Sequence, residues 1–179
     1  MDLNIEHRDI FVMSRARKSR LAGLIGRALV VVVCLTSAKA FSQEKPVVLD
    51  AKTAKTIVSA CEEFARENNL NMAIAVVDQG AHLLAFSRMD TVRPGVGKIA
   101  LWKATSAALY GYSTSTFQTM AEKDQYMYHL PDAAPVGGGE PVVLSDGTLA
   151  GGVGVSGAAA ELDVACAKSG MAAAMVTTE

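Results

Sequence analysis

The chain is poor in the residues that most often carry chemistry. Histidine and cysteine number three each and tryptophan one in 179 residues, and no CxxC or Cys/His spacing suggests a zinc centre. Neither GxxxxGK[ST] nor a GxGxxG opening a helix occurs, which disfavours nucleotide binding. GxSxG, HExxH and paired carboxylates inside an apolar helical stretch are missing as well. The cleanest apolar run, Ala28 to Leu35, spans 8 residues, against the roughly 20 that a membrane anchor needs. Hydrophobic residues nevertheless make up 50% of the chain, too many for disorder and enough for one domain with a real core.

What is present begins with an export pattern. Arg15, Arg17, Lys18 and Arg20 precede an apolar stretch from Leu21 to Leu35 broken only by Arg27, and Ala38-Lys39-Ala40 is the small-x-small pattern that signal peptidase accepts. Residues 1–40 are therefore expected to be a cleavable signal peptide, and the protein is expected in the periplasm or secreted. Asp2, Glu6 and Asp9 do not suit a basic leader, so Met13 is the expected start. Cleavage takes away 7 of the 17 basic and 3 of the 18 acidic residues, leaving 10 and 15 and a net charge of −5. That balance argues against nucleic acid as a partner, and no membrane contact is expected after cleavage. Cys61 and Cys166 survive, each on the apolar side of an expected helix. They are either two buried thiols or a disulfide that an oxidising compartment permits.

Residues 41–49 read as a leader into one domain over 50–179. Ala54, Ile57, Val58, Cys61, Phe64 and Ala65 recur at helical spacing behind Asp50 as N-cap, predicting a helix to Asn68-Asn69. Met72–Val77 and His82–Arg88 flank Asp78-Gln79-Gly80-Ala81 and predict a hairpin whose positive φ is supplied by the glycine. Both faces of its first strand are apolar, so the sheet is expected to be covered on both sides. Lys98–Tyr110 predicts a helix with Ile99, Trp102, Ser106 and Leu109 along one line, and Thr114–Asp124 a shorter one. Pro141–Leu144 and Leu149–Ser156 around Asp146-Gly147 predict a second hairpin. A last helix over Ala159–Met175 places Leu162, Ala165, Cys166, Ser169 and Ala173 on one side. The fold class is thus α/β in the α+β sense, with an antiparallel sheet of four to five strands and flanking helices.

Several residues stand out against this frame. Gly137, Gly138 and Gly139 mean either a tight turn packed on a helix or backbone lining a ligand pocket. On the last strand Ala150, Gly152, Gly154 and Ser156 leave one face almost bare, to be filled by the terminal helix, a flat ligand or a partner subunit. Lys103, set among alanines, is either a snorkelling surface residue or a ligand for an acidic group, and Arg88 is in the same position. Tyr126, Tyr128 and His129 gather side chains able to ligate haem iron or stack on its macrocycle, or serve for packing. Asp163 at the head of the terminal helix suits the helix dipole or acts as a site acid. No residue set suggests a bound metal ion.

Three ordered segments, AIAVVDQGAHLLAFSRMD (73–90), KATSAALYGYST (103–114) and PVGGGEPVVLSDGTLAGGVGVSG (135–157), together resemble the GlcG/HbpS family of haem-binding-like proteins. The resemblance spans about residues 50–175. It implies a profilin-like domain, assembly into a symmetric homo-oligomer, and haem as a possible cofactor. Glu140 departs from the apolar residue that the family commonly has there. Two functions are expected. One is an exported binding protein for haem or another small ligand, held by Arg88, Lys103, Gly137, Gly138, Gly139, Gly154 and Ser156, with Tyr126, Tyr128 or His129 as axial donor. The other is a small enzyme acting on an organic acid, with Lys103, Glu140 and Asp163 as acid or base. An oligomeric accessory subunit is a further alternative to both.

Overall fold

Asp50 opens the first helix by accepting a hydrogen bond from Thr53 N at 2.7 Å, an N-cap in the sense the sequence predicts. The computed structural model describes residues 48–176, so the expected signal and most of the leader lie outside the described residues. Helix α1 runs Ala51–Glu67 and buries Ala54, Ile57, Val58, Cys61 and Ala65. Strands β1 (Ala73–Asp78) and β2 (Leu83–Arg88) form the first hairpin. Its turn differs from expectation in one detail: the positive φ, 62°, falls on Ala81 rather than on Gly80. The Asp78 carboxylate accepts from the amides of Gly80 and His82 at 2.9 and 2.8 Å, and this side-chain clamp holds the turn where the glycine does not.

Helix α2 runs Pro94–Tyr110, four residues earlier than the sequence predicts, because Pro94 serves as a preset first residue. It stops at Gly111, whose φ of 70° is the left-handed cap geometry that glycine adopts without penalty. Helix α3 (Thr114–Lys123) and a single 3-10 turn (Gln125–His129) lead into β3 (Gly139–Val143), β4 (Leu149–Ser156) and helix α4 (Ala160–Ala173). The four strands pair antiparallel in the order β2-β1-β4-β3. No helix among the described residues is long and apolar enough to cross a membrane.

Strand alternation divides the core in two. Ile74, Val76, Val153 and Val155 point to the side covered by α1 and α4, while Ala73, Ala75 and Val77 point to α2. The bare face of β4 therefore meets α2, not the terminal helix. A Cβ on Gly152 would lie 2.3 Å from Ala104 O, and one on Gly154 would lie 2.0 Å from Ala100 O. The helix backbone occupies the space that side chains vacate, so nothing flat is left room at Gly154.

This close packing also reverses the expected face of α2. Gly97, Ala100, Lys103, Ala104, Ser106, Ala107 and Ala108 are buried, whereas Ile99, Trp102 and Leu109 are exposed. Helix α4 is rotated from expectation in the same way: it buries Asp163, Cys166, Ala167, Gly170 and Met171, and leaves Leu162 and Ala173 outside. Cys61 and Cys166, whose pairing the residues alone left open, are bonded, with Cα atoms 4.8 Å apart across α1 and α4.

Candidate functional site

Lys103 is buried, only 2% exposed, and its ammonium donates to Asp163 Oδ2 and to Val155 O, each at 2.9 Å. It is neither a snorkelling side chain nor open to a ligand's acidic group. Asp163, also 2% exposed, uses its other oxygen to accept from Ala158 N at 3.1 Å. Burial pushes the Asp163 carboxyl above the usual range, opposed by the hydrogen bond and charge of Lys103 and by the Ala158 amide. The pair locks α2, β4 and the start of α4 into one node.

The triple glycine packs directly onto this node. Gly138 has φ of 113°, and a Cβ there would lie 2.6 Å from Val155 O and 2.8 Å from Lys103 Nζ. Gly139 donates to Thr114 Oγ1 at 2.8 Å, and a Cβ on it would meet Lys103 O at 2.6 Å. The glycines thus bring backbone against protein, as a turn packed on a helix does. Ser156, 8% exposed, ends β4 opposite Ala73. Lys103, Asp163, Gly137, Gly138 and Gly139 come together, then, but sealed from solvent.

Glu140 stands apart from that node. It is buried to 3% exposure, yet it lines a cavity of about 190 Å³ beside β3, together with Ser113, Ser115 and Thr116 of the α3 N-terminus and Lys168 of α4. Burial raises its carboxyl above the ordinary value, with Lys168 as the opposing charge. No hydrogen bond or ion pair engages that carboxyl among the described residues. Thr114 and Lys168 were missed as site residues; the Ser/Thr-rich helix start signalled the first, and nothing separates Lys168 from an ordinary solvated lysine.

Arg88 lies elsewhere, in an apolar groove of about 320 Å³ between β2 and the first half of α2, lined by Leu83, Phe86, Pro94, Gly97 and Leu101, with Lys98 as the second cation. One Arg88 N–H donates to Val92 O, which leaves further donors on the guanidinium fork. Tyr126, Tyr128 and His129 are exposed on the 3-10 turn. That turn leads to Pro131, whose carbonyl accepts from Tyr110 Oη at 2.5 Å, at the opposite end of α2. One copy of the chain does not bring Arg88 and the three candidate axial donors to a common site.

A four-stranded antiparallel sheet with helices on both faces, a glycine-capped buried ion pair and an apolar groove that includes two cations define a small α+β domain. The chain belongs to the HbpS-like family, described as "Haem degrading protein HbpS-like", which it matches over residues 49–172. It is 40% identical to Protein GlcG of Escherichia coli over 111 residues, covering 62% of this chain and 82% of that protein. Among solved structures, a double mutant of Streptomyces reticuli HbpS superposes with a TM-score of 0.68 at 26% identity, over 76% of this chain and 93% of that one. A PduOC:heme complex shares the fold with the same TM-score at 23% identity, over 74% of this chain and 99% of that one.

Proposed function

We propose that this protein is an exported binding protein that takes haem, or a related flat tetrapyrrole, on the face formed by β2 and α2, and that it works as a homo-oligomer. The observation that carries the reading is the groove at Arg88. Its lining combines Leu83, Phe86 and Leu101 with two cations, Arg88 and Lys98. An apolar macrocycle with two carboxylate-bearing propionates has the complementary chemistry, since a guanidinium holds carboxylates through paired N–H donors. The description of the family supports the same ligand.

The residues fit the macrocycle and the propionates; no histidine, tyrosine or methionine lines the groove to ligate iron. An iron ligand would have to come from Tyr126, Tyr128 or His129 of a second copy. The exposure of these residues supports that role, as does the apolar surface that Ile99, Trp102 and Leu109 add along α2. Export is supported by the composition of residues 1–40 and by the Cys61–Cys166 bond, which persists in an oxidising compartment.

The test is a haemin titration of the purified protein. A shifted Soret band that saturates at a fixed stoichiometry, and that weakens at least tenfold in affinity in an Arg88→Ala/Lys98→Ala variant, is the expected result. An unshifted spectrum at micromolar protein overturns the reading.

A further inference from the structure

The cavity beside β3 presents an arrangement that the haem reading does not use. Glu140 sits on an edge strand with its backbone paired to Val153, so its side chain points to the α1/α4 side of the sheet. There it is 3% exposed and faces the cavity without a hydrogen-bond partner among the described residues. Its oxygens meet little beyond the cavity itself, and a carboxylate so short of water and of donors is favoured by a proton or by a cation brought from outside. Lys168, the opposite charge on the same cavity, weakens the effect of burial on Glu140 but forms no ion pair with it among the described residues. The cavity therefore holds two opposite charges that act on each other without closing into an ion pair.

Its third wall is the start of α3, a helix of 10 residues. Ser113 is the N-cap, with its hydroxyl accepting from Thr116 N at 3.2 Å. The amides of Thr114 and Ser115 belong to the first turn, where N–H groups have no partner within the helix and the dipole favours an anion. Lys168 adds a full positive charge on the same cavity. One part of the wall thus suits a carboxylate, while the Glu140 part suits a cation.

We propose that this cavity binds a small zwitterion of the α-amino-acid class, its ammonium on Glu140 and its carboxylate between Lys168 and the α3 N-terminus. At about 190 Å³ the space falls below the roughly 300–1,000 Å³ clefts that take drug-sized ligands, which confines the ligand to a few heavy atoms. Haem is excluded by the same measure. The site is separate from the Arg88 groove and does not depend on it.

Isothermal titration of the full-length protein with glycine, alanine and serine, beside acetate, glycolate and ethylamine, tests the assignment. At least one of the three zwitterions is expected to bind ten times or more tighter than any single-charge compound. Glu140→Gln is expected to remove that preference, and Lys168→Ala, a change at an exposed position, to weaken the zwitterion tenfold without altering the fold. Haemin binding is expected to be unchanged in both. Absence of heat with all three zwitterions at millimolar concentration overturns the proposal. So does glycolate binding as tightly as glycine, or an unaltered preference in Glu140→Gln.

Discussion

Lys103 Nζ and Asp163 Oδ2 lie 2.9 Å apart, joining the middle of α2 to the first turn of α4 across 60 residues of sequence, with each side chain at most 3% exposed. Such a pair contributes little against an apolar replacement, but breaking one half leaves an uncompensated buried charge at a cost of roughly 3–5 kcal/mol. Lys103→Met is therefore expected to lose about that much in chemical denaturation. The double variant Lys103→Met/Asp163→Leu should lose distinctly less than the sum of the two single changes. Additive losses would show that the pair is not a coupled unit.

The hairpins and the first helix were legible because their residues alternate or recur as the elements require, and because Asp50, Asp78-Gln79-Gly80-Ala81 and Asp146-Gly147 punctuate them. The burial of α2 was not legible by the usual rule that large apolar residues face inward. Alanine and glycine carry its contact with β4, which lets the helix approach closely and turns Ile99, Trp102 and Leu109 outward. Lys103 was conspicuous among alanines, but its partner could not be read from spacing, since Asp163 meets it only through the sheet order β2-β1-β4-β3. The bond between Cys61 and Cys166 is of the same kind, set by how α1 and α4 cross. Glu140 was marked as a departure from the family pattern, while the cavity it faces depends on Lys168 and the α3 N-terminus meeting it in space.

Glu140 gives the protein a pH dependence of defined sign. Its folded carboxyl is raised by burial above the value of 4.5 that an unperturbed glutamate has. The folded state thus holds a proton that the unfolded chain releases. The stability this contributes is complete below the unfolded value and is lost as pH rises through the window between 4.5 and the raised folded value. Glu140→Gln removes the titration, and Asp163, raised in the same direction, is common to both proteins and cancels on subtraction. The stability of the wild type relative to Glu140→Gln, measured by urea denaturation without added ligand, is expected to fall between pH 4 and pH 7. A flat difference would contradict the burial of that carboxyl.

The Cys61–Cys166 bond closes a loop with a sequence separation of 105 residues. Loops of this length contribute on the order of 2–5 kcal/mol when cross-linked, chiefly by restricting the unfolded chain. Cys61→Ser/Cys166→Ser is expected to lower the guanidinium midpoint by a corresponding amount, and a thiol reductant should shift the wild type toward the variant while leaving the variant unmoved. Haemin affinity should be retained, since neither cysteine lines the groove at Arg88. A reductant effect of equal size in the variant would assign the loss to something other than this bond.

The approach of α2 to β4 makes the sharpest demand on single residues. At Gly154 an added methyl would meet Ala100 O at 2.0 Å and Ala104 N at 2.4 Å, both backbone atoms of a helix that is itself packed on β1, so neither can yield cheaply. At Gly95, in the first turn of the same helix, nothing lies within 4 Å of the added atom. Gly154→Ala is expected to cost 3 kcal/mol or more, beyond the roughly 1–3 of ordinary overpacking. Gly95→Ala is expected to be neutral or to stabilise by up to about 1 kcal/mol, because alanine has less backbone freedom to lose in a helix. Thermal denaturation of the two variants side by side checks both. If Gly154→Ala melted with the wild type, α2 could not lie against the bare face of β4, and that face would again be open to a ligand.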